Sequence, residues 1–130
     1  MKRRRRRTLL PAALAGAGLL AASVPALAGE ADVVGVEIRR EAAGTYAFDV
    51  TVRHADTGWQ HYADCWEVLA PDGKTVLGTR KLLHPHEDEQ PFTRSLSGVR
   101  IPDGMAEVIV RAHDLVHGYG GAEMRVTIPR

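Results

Sequence analysis

Residues 62–82 read Tyr62-Ala63-Asp64-Cys65-Trp66-Glu67-Val68-Leu69-Ala70-Pro71-Asp72-Gly73-Lys74-Thr75-Val76-Leu77-Gly78-Thr79-Arg80-Lys81-Leu82, and a turn sits at the centre. In Pro71-Asp72-Gly73-Lys74, proline presets the first turn torsion and glycine supplies a positive φ. The flanks are rich in aromatic and branched residues and lack the 3.6-residue helical period. The stretch therefore predicts a hairpin of two strands, Tyr62–Leu69 and Thr75–Leu82, with Tyr62, Trp66 and Val68 on one face of the first. The same alternation recurs outward along the chain. Thr45–Arg53 puts Tyr46, Phe48, Val50 and Val52 on one face, and Glu107–Ala112 does so with Val108, Val110 and Ala112. Glu123–Ile128 turns Met124, Val126 and Ile128 inward, and Val33–Arg39 and Phe92–Val99 complete a set of seven strands. Pro102-Asp103-Gly104 repeats the turn device.

Seven short antiparallel strands with one inward tryptophan on the third resemble an immunoglobulin or fibronectin type III-like sandwich. The expected fold class is thus an all-β, seven-stranded antiparallel sandwich. The single cysteine, Cys65, excludes an internal disulfide, which favours the fibronectin-like variant. A domain of about 100 residues buries enough apolar surface without one.

Of 130 residues, 1–28 read as a cleavable export signal and 29–130 as one domain. Lys2 and Arg3 to Arg7 precede an apolar run from Leu9 to Ala22, and Ala26-Leu27-Ala28 offers small residues where a signal peptidase reads. Gly29 is the expected mature start. Arg6-Arg7-Thr8-Leu9-Leu10 also fits a twin-arginine pattern, so the route is Sec or twin-arginine and the destination periplasmic or secreted. Charge is uneven: the first 28 residues hold 6 of the 17 basic side chains, and the other 102 carry 11 basic and 16 acidic ones, a net −5. Nucleic acid is therefore not an expected partner, nor is a membrane after signal cleavage.

All six histidines fall in or beside three connections that this topology sends to one end of the sandwich. His54 and His61 flank the second connection, His84 and His86 lie in the fourth, and His113 and His117 flank the sixth. Neutral imidazole is the commonest protein metal ligand, so the cluster predicts a copper or zinc ion held by some of His54, His61, His84, His86, His113 and His117. In His84-Pro85-His86, proline holds two imidazoles near each other on restricted backbone, and Glu87, Asp88 and Glu89 add attraction for a cation. Asp56, Asp64 and Asp114 are candidate ligands or partners that orient an imidazole. Gly118, Gly120 and Gly121 let the last loop approach closely. Duller readings stand beside these. His54 continues the inward parity of its strand as a satisfied core histidine, and His61 pairs locally with Asp64. His113 lies on the sheet surface. The acidic run is a solvated loop, and Trp59, Tyr62 and Tyr119 cap the core. Cys65 and Met124 read as packing residues.

The segments His61-Tyr62-Ala63-Asp64, His84 to Leu96 and Val116-His117-Gly118-Tyr119-Gly120-Gly121 resemble those of short exported bacterial proteins without an established activity. That resemblance implies export and a joint role for the three loops. The leading expectation is an exported metal-binding protein. The alternative is a periplasmic module that binds a protein partner or small ligand through the same loops. An enzyme is not expected, since Ser95 and Ser97 sit on a strand without an elbow motif. A metal site with an open position would make a redox metalloenzyme the exception.

Overall fold

The computed structural model describes residues 29–130; the export-signal reading of residues 1–28 lies outside them. Seven strands follow in order: β1 (Asp32–Ala42), β2 (Thr45–Arg53), β3 (Ala63–Leu69), β4 (Val76–Lys81), β5 (Phe92–Arg100), β6 (Glu107–Asp114) and β7 (Met124–Thr127). They form two antiparallel sheets, ordered β1-β2-β5 and β4-β3-β6-β7. The all-β expectation holds, and the described residues contain no helix.

The core lies between the sheets and is built by period-two alternation. Phe48, Val50 and Val52 of β2 and Trp66 and Val68 of β3 are wholly buried, as are Val108 and Val110 of β6. The β3–β4 hairpin turns where the sequence places it. Gly73 takes φ 70° and its N–H donates to the Ala70 carbonyl at 3.0 Å. Asp72 caps the turn, accepting from the N–H groups of Lys74 and Thr75, both at 2.9 Å, and from the Thr75 hydroxyl at 2.6 Å.

Two strand ends differ from the sequence expectation in ways that shape the site. β6 runs on to Asp114 because the ladder continues to a pair between Ala63 and Asp114, so His113 and Asp114 are strand residues. β3 begins at Ala63, which leaves Tyr62 in the preceding loop. β1 is longer than expected, reaching Ala42, and is interrupted by bulges at Val33/Gly35 and Arg40/Ala42. β4 stays on the sheet of β3. The β2–β3, β4–β5 and β6–β7 connections consequently meet at one pole.

Candidate metal centre

β2 delivers the first imidazole. The parity that buries Phe48, Val50 and Val52 also turns His54 inward, where it is 2% exposed. A tight turn closed by the Asp56 N–H on the His54 carbonyl, at 2.9 Å, folds Asp56 back under the ring. The Asp56 carboxylate then accepts from His54 Nδ1, from the Ala63 N–H at 3.2 Å and from the His86 N–H at 2.6 Å. Gln90 completes the tie: its Oε1 accepts from the His54 N–H and its Nε2 donates to the His86 carbonyl, both at 2.9 Å. The β2–β3 and β4–β5 loops are thus joined through one buried carboxylate.

The second anchor is Asp114, fully buried at the end of β6. Its Oδ1 accepts from the N–H groups of Val116 and His117, at 2.9 and 2.7 Å, and lies 3.2 Å from His117 Nδ1. Oδ2 is buried and has no hydrogen-bond partner among the described residues. Burial pushes this carboxyl's pKa up, but the N–H groups of His117 and Val116, with the His117 ring, outweigh it and hold it below the usual carboxylate range.

Around these anchors the donors converge. His54 Nε2 lies 3.9 Å from Asp114 Oδ2, and His61 Nε2 lies 3.5 Å from Asp114 Oδ1. His54, His61 and Asp114 each offer one donor atom within 4.8 Å of the others. The carbonyl oxygen of Gly29 enters the same group, 2.8 Å from His54 Nε2 and 3.1 Å from His61 Nε2. Four ligands about 2.1 Å from a tetrahedral ion stand about 3.4 Å apart, and these separations bracket that value. His54 carries acceptors at both ends, Asp56 at Nδ1 and Gly29 with Asp114 at Nε2. A neutral imidazole donates from one nitrogen only, so a second proton or a cation is needed at the other. With Asp56 holding Nδ1–H, Nε2 is the free ligand atom, the arrangement by which a carboxylate orients a metal-binding histidine.

The remaining histidines occupy the same pole but not the same point. His117 flanks the group, its ring centroid 5.1 Å from that of His61. His86 is buried and stacks on Phe92 with centroids 4.0 Å apart, and His84 packs against it at 4.5 Å. Both ring nitrogens of His86 lack hydrogen-bond partners among the described residues, and Nδ1 is 3.9 Å from Asp56 Oδ2. Burial, with Arg94 and His84 nearby, lowers its pKa below 6.5. His84 and His86, with Trp59, Pro85 and the acidic run Glu87–Glu89, line an open cavity beside the first group. His113 faces away from both: its Nδ1 lies 2.5 Å from Asp64 Oδ1, and it forms a separate group with Asp64 and Cys65 on the outer face of β3 and β6. There burial, with Asp64 and Glu67, pushes the Cys65 thiol up to about 11.

The residue that sequence reasoning missed is Gly29. Gly120 and Gly121 make room for the segment leading into β1, since a Cβ on Gly121 would lie 1.9 Å from the Ala31 carbonyl oxygen. The close approach expected of Gly120 and Gly121 is real, and the partner is the segment ahead of β1; Gly118, expected to share it, has open space around its Cβ position and serves its turn through a φ of +67° instead. The only signal available was this pair of glycines.

No protein-family model matches the chain, and no solved structure matches it. A protein of Halomicrobium mukohataei named "Putative lipoprotein" is 44% identical over 97 residues, which are 75% of this chain and 47% of that protein. The chain thus spans about half the length of that curated relative.

Proposed function

We propose that this chain is an exported metal-binding domain that holds one copper(II) or zinc(II) ion through His54, His61, Asp114 and the Gly29 carbonyl oxygen, with His117 at the rim. The observation that carries the reading is the meeting of two imidazoles at one buried carboxylate, with His61 at Oδ1 and His54 3.9 Å from Oδ2, an oxygen with no hydrogen-bond partner among the described residues. Leaving such an oxygen uncompensated is costly, and a divalent cation removes that cost. Nitrogen and oxygen donors without sulfur suit copper(II) or zinc(II) better than copper(I). Export is supported by the signal pattern of residues 1–28 and by the name of the relative. The strand order, with β4 beside β3, supports an immunoglobulin or fibronectin type III-like sandwich.

Metal analysis and titration of the exported, untagged protein test the reading. We expect one tight equivalent, a rise in thermal stability with the metal, and a loss of binding of well over tenfold in His54→Ala with His61→Ala. Protein that carries no metal, and whose melting is unchanged by copper and zinc, would rule it out.

A second reading rests on the rim of the same pole. Trp59, Leu83 and Val116, one from each loop, are 66%, 77% and 60% exposed. Large exposed apolar side chains on three loops that share a pole favour a docking surface, here for a periplasmic or extracellular protein. The two readings coexist if that partner delivers or receives the ion.

A further inference from the structure

Gly29 stands inside the donor group although nothing in its side chain calls for it. Its carbonyl oxygen lies 2.8 and 3.1 Å from two imidazole nitrogens. The segment behind it is pinned, with the Val33 N–H on the Ala122 carbonyl at 2.8 Å and the Ala122 N–H on Asp32 Oδ1 at 2.7 Å. The backbone itself presses against His117: with φ at +118°, a Cβ on Gly29 would stand 2.2 Å from His117 Cε1. Only a residue without a side chain brings the main chain this close.

The sequence places the export cleavage immediately before this residue. We infer that cleavage after Ala28 completes the ion site, freeing the α-amine of Gly29 to bind the ion together with its own carbonyl oxygen. This rests on the metal-binding reading above. The step is a hydrolysis by a signal peptidase. Water adds across the Ala28–Gly29 peptide bond, its hydroxyl going to the Ala28 carbonyl carbon and its hydrogen to the Gly29 nitrogen. A peptide nitrogen has its lone pair tied up in resonance, whereas a deprotonated amine offers one to a metal. Nitrogen and carbonyl oxygen of one residue close a five-membered ring on a single ion, so one cut adds a ligand next to one already in place. The uncleaved chain presents the imidazoles, Asp114 and the Gly29 oxygen but not this nitrogen. Full affinity thereby arises only after export.

Intact mass spectrometry of the exported protein, followed by copper(II) and zinc(II) titration against a chromophoric chelator, tests this. Three forms are compared: the chain beginning at Gly29, the same chain acetylated on that amine, and a chain beginning at Ala28. The expected mass is that of residues 29–130, and the two blocked forms bind at least 30-fold more weakly while melting within a few degrees of the first without metal. Equal affinity in all three overturns the inference, as does an exported protein beginning elsewhere. If His54→Ala with His61→Ala abolishes binding while acetylation leaves it unchanged, the metal reading stands and the amine's role falls. If no form binds, both fall.

Discussion

Replacing Asp56 with alanine removes the acceptor of three buried contacts: His54 Nδ1, the Ala63 N–H and the His86 N–H. His54 can keep its proton on Nε2 against the Gly29 carbonyl, so its share of the loss is small. The two backbone N–H groups have no such recourse. A buried donor left unmatched costs about 1–3 kcal/mol, so the expected loss is roughly 3–4 kcal/mol once some relaxation is allowed. For a domain of this size each kcal/mol shifts Tm by about 4–8 °C, and Asp56→Ala should melt roughly 12–30 °C below the parent in differential scanning calorimetry. Asp56→Asn keeps one acceptor oxygen and should fall between the two. It also takes the carboxylate from behind His54, which should weaken metal binding about 10–100-fold. An Asp56→Ala variant that melts within 3 °C of the parent would refute the idea that this carboxylate clamps two loops together.

Other outcomes follow from the same geometry. Because burial lowers the folded-state pKa of His86 below 6.5, the unfolded chain takes up that proton first on acidification. Its contribution to stability is intact above pH 6.5 and is lost as pH falls through that value toward the lowered one; urea midpoints at pH 7 and pH 5 should therefore differ more for the parent than for His86→Phe, and parallel shifts would contradict this. Asp72 loses its contribution in the same direction, but at lower pH. Its carboxyl, lowered to about 2 by the Thr75 hydroxyl and the Thr75 and Lys74 N–H groups, contributes above its unfolded value near 3.8, so the stability gap between parent and Asp72→Ala should be constant from pH 7 to 5 and close only toward pH 2. With its thiol pushed up to about 11, Cys65 should react slowly with a disulfide reagent at pH 7.5, and Cys65→Ser should leave the metal stoichiometry unchanged.

Local rules located the strands. The alternation in β2 located both the core face and the burial of His54, since parity carries past the strand end. Pro71 and Gly73 fixed the hairpin between β3 and β4. The gathering of loops at one pole was legible for the same reason, because antiparallel connectivity fixes which turns share an end. Which histidines meet was not legible. His84-Pro85-His86 had the strongest local pattern, yet His86 stacks on Phe92 and its own N–H answers to Asp56. That arrangement depends on a carboxylate 30 residues away and on Gln90, neither visible in the spacing of two imidazoles. Gly29 was invisible for a related cause. It acts through its backbone, and main-chain carbonyls carry no residue signature.

β1 lies at the edge of its sheet, where a free row of N–H and C=O groups invites another strand. Its two bulges break the repeat of that row, and the exposed side chains of Glu37, Arg39, Arg40 and Glu41 crowd its second half with charges of both signs. A second copy seeking to extend the sheet would have to match an interrupted register and strip water from those charges. At high concentration the domain therefore resists stacking into fibres along this border.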